Sequence, residues 1–210
     1  MGTTMNRNSL FSYDFIEIGT CDFDTELQRS DGTRLGISVE PVKGYLDALP
    51  NIPGVTRVHA AISNTNGYAD MYSVIPEAIE RLALPEWVRG CSSIHKPHPR
   101  VVELIKQKEV KEEEVVTVDR VPVMTFSKLV EGVGSCKLLK IDAEGHDLVI
   151  LESYLEAVDA GFPLIDEVRF EANSLSNFDE IKRMLAVLGL KGYTVTEWAN
   201  EQFTLKLARP

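Results

Sequence analysis

Cysteine is scarce in this chain and forms no pattern. Cys21, Cys91 and Cys136 stand far apart, odd in number and with no C-x-x-C pair. That excludes a zinc knuckle and a disulfide framework and makes a reducing, cytoplasmic compartment the expectation. Long apolar runs are missing too. None approaches the roughly 20 residues that a helix needs to cross a bilayer, and the opening residues show no apolar signal core. "MGTTMN" begins like a myristoylation signal, but Asn6 stands where Ser or Thr is wanted. Positive charge is in deficit, with 22 Lys and Arg against 32 Asp and Glu, a net charge of -10. Nucleic acid and anionic membrane are therefore not expected as partners, because phosphate binding needs clustered Lys and Arg. Internal repeats and low-complexity linkers are absent, so residues 1–210 read as one domain.

The chain does carry an alternation of strand and helix signals. Residues 14–18 read as a first strand, and 24–29 as a short helical stretch. Residues 35–41 form a second strand, and 42–49 a helix with Val42, Tyr45, Leu46 and Leu49 at helical spacing. A third strand is expected over 56–63, followed by the loop signal "NTNG" and a further strand over 68–74. Residues 76–84 predict a helix opened by Pro76, 90–99 a proline-rich loop, and 100–114 a helix with a charged face. Residues 115–123 are extended, and Thr125 or Ser127 opens a short helix. Clear signals return with a buried strand over 136–145, a helix over 146–160, a strand over 164–173 and an amphipathic helix over 177–190. Two final strands around Asn200 predict an antiparallel pair. The pattern is that of an α/β protein with a Rossmann-like, mainly parallel seven-stranded sheet, helices on both faces and an antiparallel C-terminal hairpin whose last strand is inserted. Residues 76–124 read as an insertion or lid region within the domain.

Ligands of open α/β sheets gather at the carboxyl ends of the strands, near the switch in strand order. Glu17, Gly19, Thr20, Cys21 and Asp22 stand at the end of strand one, Glu40 at the end of strand two, and Ala61, Ile62 and Ser63 at the end of strand three. Asp142 and Glu144 follow the strand that ends near 141, and Glu171 and Asn173 the one after. A glycine after strand one allows close backbone approach to a ligand, and an acid about twenty residues on is placed to grip ribose hydroxyls. The turn is not G-x-G-x-x-G. With one glycine it is poorly built for a pyrophosphate, which argues against NAD or FAD and for a nucleoside ligand without phosphates, such as S-adenosylmethionine. A plain structural turn with a solvated strand-end acid would look the same.

"LLKIDAEGHD", residues 138–147, followed by "LVILES", resembles the FkbM-type family of S-adenosylmethionine-dependent methyltransferases, which shows a Lys-x-Asp-x-Glu-Gly pattern there. "FIEIGTCDFDT", "SVEPV", "AISNTNGYADMY", "VPVMTFSKL" and "EVRFEAN" are similar to other segments of that family, in the same order, over roughly residues 14–173. One departure is Phe23, where the family often has a second glycine. The resemblance implies that the backbone from Gly19 to Asp22, with Glu17 beside it, holds the methionine end of the cofactor. It implies that Glu40 binds ribose, that Ala61, Ile62 and Ser63 flank adenine, and that Asp142 and Glu144 line the side where methyl group and acceptor meet.

Methyl transfer to oxygen needs alignment, exclusion of water and a base. His146 is a candidate base, with a helix-capping role as the alternative. His95 and His98 belong to a closing loop or to a plain surface loop, and His59 is read as structural. Glu171 is read as orienting the substrate or Lys140. Asp142, Glu171 and Asn173 form an oxygen-bearing set that suits Mg²⁺, but the reading preferred is metal-free. The cysteines lack a basic neighbour that would make a nucleophile. The expected activity is thus methylation of a hydroxyl on a small molecule or glycan. No Asp-Pro-Pro-Tyr-type motif points to DNA. The alternative, favoured by Phe23, is a catalytically silent methyltransferase-like binding or assembly module.

Overall fold

A computed structural model describes residues 11–21, 25–173 and 175–208. Its centre is a sheet of seven strands, β1 (Phe11–Ile18), β2 (Gly36–Val39), β3 (Val55–Val58), β7 (Val133–Ile141), β8 (Glu167–Glu171), β9 (Tyr193–Ala199) and β10 (Gln202–Leu207). Their order across the sheet is β3-β2-β1-β7-β8-β10-β9. β10 alone runs against its neighbours, inserted between β8 and β9, as the sequence leads one to expect. Asn200 and Glu201 both have positive φ, 51° and 62°, which is the backbone that closes a tight hairpin along the natural strand twist.

Register explains why the strands are apolar. Ile16 lies beside Ile37 and Leu139, and Leu139 beside Val168. One step along, Ile18 lies beside Val39 and Ile141, and Ile141 beside Phe170. These two rows are buried under α5 (Asp147–Asp159) through Ile150, Leu151 and Tyr154. Each such side chain removed from water contributes about 1.5–3 kcal/mol. α4 (Phe126–Leu129) and α6 (Phe178–Leu190) join the same core. Tyr154 carries a polar tie as well: its hydroxyl accepts from Ile165 N at 3.0 Å and meets the Tyr193 hydroxyl at 2.7 Å, which donates to Ile165 O at 2.6 Å.

The opposite face is covered over β1–β3 by α1 (Lys43–Ala48) and residues 25–30, where Leu27, Leu46 and Leu49 pack with Ile52 and Val55. The expected helix over 24–29 is not formed. Residues 26–29 are turns, and Asp24 lies outside the described residues. Further across this face, β8 and β10 present Arg169, Glu167 and Lys206, paired with one another.

The main difference from expectation is the third strand. Residues 56–63 do not form one element, because the chain leaves the sheet after Val58. It then starts β4 (Ala61–Ser63), which pairs with β6 (Val116–Thr125), and β6 pairs in turn with β5 (Gly67–Val74). The result is a second, three-stranded sheet. Nothing in "VHAAIS" signals the break, since the apolar run is continuous and only the pairing partner changes. Between β5 and β6 lie α2 (Pro76–Leu82), α3 (Pro99–Lys108) and two 3-10 turns, Glu86–Gly90 and Glu112–Glu114. The helix expected over 100–114 ends early, at Glu109 with φ 53°. This segment has its own core, built from Val74, Ile79, Val88, Val101, Ile105 and Val115.

Candidate active site

Strand order reverses between β2-β1 and β7-β8, and the first turn sits at that point. Gly19 has φ +78°, and a Cβ there would stand 1.8 Å from the Asp142 carbonyl oxygen. Glycine is therefore required twice over, for its backbone and for its space. Gly19 N donates to Val39 O at 3.0 Å and Asp142 N to Ile18 O at 2.9 Å, so three strand ends meet at one residue. Cys21 N donates to Glu40 Oε2 and Val42 N to Glu40 Oε1, each at 2.7 Å. Glu40 thus fastens the first turn to the end of β2. Burial, with Asp142 nearby, lifts its carboxyl to about 7 despite the amides that favour its charge. Burial pushes the Cys21 thiol up to about 12, which disarms it as a nucleophile.

A pocket of about 550 Å³, its open mouth included, lies beside this turn. Gly19, Cys21, Glu40, Ala61, Ile62, Asp142, Glu144 and His146, all expected from the sequence, line it. Its apolar walls also include Pro41 and Met71, and Arg89–Ile94 of the insertion close one side. Ser93 is pinned there by paired bonds with Tyr72, 2.9 and 3.0 Å. The hydroxyls of Tyr45 and Ser92 are buried in the lining without a hydrogen-bond partner, as is the Thr20 hydroxyl in the first turn. Buried polar atoms left unpaired cost roughly 1–3 kcal/mol each, so these mark where a polar ligand would be rewarded.

Three expected cofactor contacts do not line the pocket: Thr20, Glu17 and Ser63. Glu17 is turned to the opposite face, where its carboxylate accepts from Glu26 N at 2.6 Å and Leu27 N at 3.0 Å. It holds the 25–30 segment onto the sheet and does not line the pocket. Ser63 faces His146 rather than the pocket lining. Asp22 and Phe23 lie outside the described residues.

Next to the pocket three acids converge. One carboxylate oxygen each from Asp142, Glu144 and Glu171 lies within 4.8 Å of the others. Glu144, at φ 48°, and Gly145, at φ 90°, bend the chain after β7 so that this happens. Burial, and then the charges of Asp142, Glu144 and Asp147, push the Glu171 carboxyl up to about 8. Its Oε2 is buried and unpartnered. Like charges this close cannot all ionise without compensation. A proton on Glu171 supplies it, and the same oxygens are close enough together to take a divalent cation.

A family model described as the methyltransferase FkbM domain matches residues 16–195. The chain belongs to the FkbM methyltransferase family. The matched span runs from Ile16 in β1 to Val195 in β9 and includes the segment between β5 and β6. No curated protein matches the chain. Among the described residues no helix is long and apolar enough to cross a membrane.

Within this FkbM domain the histidines are arranged differently from the sequence reading. His146 occupies the residue before α5, yet its side chain does not cap the helix. Its Nδ1 meets His95 Nε2 at 2.9 Å, and its Nε2 meets the Ser63 hydroxyl at 3.0 Å. Burial, and then His95, lower its pKa to about 4. With both ring nitrogens engaged and its basicity weakened, it ties the turn before α5 to His95 and Ser63 and is a poor base. His98 Nδ1 accepts from Arg100 N at 3.1 Å, which leaves Nε2 to donate to Glu144 at 3.3 Å. Both loop histidines therefore hold the insertion against the turn after β7. His59 contacts Pro41 O at 2.9 Å. Sequence reasoning passes over Tyr45, Arg89 and Ser92 as pocket residues, because no motif marks them. It also passes over Asp147, which follows directly on the Asp-Ala-Glu-Gly-His run.

Proposed function

We propose that this FkbM family member uses S-adenosylmethionine to methylate a hydroxyl of a small molecule or glycan. The observation that carries the reading is the single-glycine turn at the switch point, fastened by Glu40 and opening onto a pocket lined by Asp142 and Glu144, with Glu171 converging on them from beside it. The donor set suits that cofactor. Pro41, Ala61, Ile62 and Met71 offer apolar walls for a purine, while Glu40 and the unpaired Tyr45 and Ser92 hydroxyls offer polar contacts for a ribose. The backbone from Gly19 to Cys21 would take the amino-acid end. When bound, the cofactor supplies an electrophilic methyl group on a positively charged sulfur.

The chain's own residues do the rest. Asp142 and Glu144 place negative charge beside the pocket, which favours a cationic ligand. Glu171, with an ordinary carboxylate shifted to titrate near 8, is suited to take the proton of an acceptor hydroxyl near neutral pH. Segment 89–94 shields the pocket from water.

Calorimetric titration with S-adenosylhomocysteine and with NAD tests the cofactor. The expected result is heat with the first only. A panel of hydroxylated small molecules and sugars with labelled S-adenosylmethionine then tests transfer. Tight binding with no labelled product on any acceptor would favour the silent module, and no heat with either ligand would remove the reading.

A further inference from the structure

Beneath the three converging acids lies a fourth. Asp147, the first residue of α5, has no solvent exposure and does not line the pocket. Burying a carboxylate is costly unless hydrogen bonds match it. An acid at the start of a helix ordinarily serves that helix's own N-terminus. This one bonds its own amide and also reaches outward to two other segments. Its Oδ1 accepts from Glu171 N at 3.1 Å, at the last residue of β8. Its Oδ2 accepts from Ala143 N at 3.3 Å, in the turn after β7.

We infer that Asp147 is a positioning residue: it clamps the turn after β7 to the end of β8 and so fixes Asp142 and Glu144 against Glu171. The inference rests on reading that cluster as the reactive end of a methyltransferase site. The two strands pair only as far as Ile141 and Phe170. Beyond that point the ladder no longer sets their separation, and the carboxylate takes over. The turn itself is held in a left-handed bend at Glu144 and Gly145, a conformation that persists only when its surroundings over-determine it. The charged groups facing Asp147 are Asp142 from the end of β7 and Glu171 from the end of β8.

Two variants of the full chain test this. Asp147→Asn keeps the size and one acceptor; Asp147→Ala removes both. In Asp147→Ala, the Ala143 and Glu171 amide resonances are expected to move upfield together and their hydrogen exchange to quicken at least tenfold, while the Leu139 amide is unchanged. In both variants labelled-methyl transfer should lose at least tenfold in kcat while KM for S-adenosylmethionine stays within threefold, a split that a purely structural role would not give. S-adenosylhomocysteine affinity of Asp147→Asn should stay within threefold of the parent. Should the alanine variant fail to fold, the asparagine variant carries the test, with one of the two amides expected to move. An unmoved pair of amides, an unchanged kcat in an active parent, or a loss of affinity beyond threefold each overturns the role. A parent that binds no S-adenosylhomocysteine counts against the methyltransferase reading alone, since the resonances judge the clamp without any ligand.

Discussion

Gly19 and Glu171 carry the sharpest consequences of the site. Gly19→Ala would force a Cβ to within 1.8 Å of the Asp142 carbonyl in a left-handed backbone. The strained backbone alone costs about 1–3 kcal/mol, and the clash must be relieved by parting β1 from β7. The expected outcome is a lower denaturation midpoint together with loss of S-adenosylhomocysteine binding; unchanged binding would show that the turn is not the cradle. Glu171 must be ionised to act as a base, and its carboxyl titrates near 8. Activity should therefore rise about tenfold per pH unit below 8 and level off above. Glu171→Gln should lower kcat by roughly 10²–10⁴ and abolish that limb, as measured by a pH–rate profile. At this scale the sequence was legible wherever one residue sufficed, as at Gly19, Glu40 and Asp142. It misled at Glu17, because strand neighbours face opposite sides of a sheet and a list of strand-end residues ignores the pleat. His146 was opaque for another reason: its partners, His95 and Ser63, are 51 and 83 residues away.

At the scale of elements, His98 links the segment between β5 and β6 to the turn after β7. It caps α3 through Nδ1 and reaches Glu144 through Nε2. His98→Ala should cost about 1 kcal/mol as a lost cap and let the turn after β7 relax. Hydrogen exchange would report it as faster exchange in the first turn of α3 and at Glu144, with β1 and β7 unaffected. Exchange unchanged at Glu144 would mean that the link is incidental. Helices and strands from β7 onward were legible because their hydrophobic periods are long and their caps are marked, as at Asn177, whose side chain accepts from Asp179 N at 2.9 Å. The division of residues 56–63 between two sheets was not, because periodicity reports burial and alternation and is silent on which strand lies alongside.

Across the whole molecule, stability should depend on pH in a particular sense. Glu40 and Asp147 titrate near 7 and Glu171 near 8, all raised by burial from ordinary carboxylate values. The native state then holds protons that the unfolded chain has released, so stability falls as pH rises through these values. His146 works in the opposite sense, since its pKa is lowered to about 4: between about 4 and 6.5 its contribution grows with pH. The window from about 6.5 to 8 is left to the acids. A melting temperature that declines across it at fixed ionic strength is expected, with high salt in parallel to separate the general effect of the -10 net charge. A flat or rising curve would mean that these carboxyls are paired or hydrated in solution. The main sheet's layout was readable at this scale, including its inserted last strand, since alternating strands and helices leave few ways to wind. The small second sheet was not, because its three strands come from stretches that read as extended without any sign that they pair with one another instead of with the main sheet.

The walls of the pocket come from two sheets that change partners between Val58 and Ala61. One side, from Gly19 to Glu40, is locked into the register of β1 and β2; the other, from Arg89 to Ile94, hangs from a separate core. Selection can therefore rewrite the second side, by substitution or by lengthening, without disturbing the hydrogen-bond ladder of the first. In such an architecture, what is accepted can drift between descendants while the donor's seat stays the same.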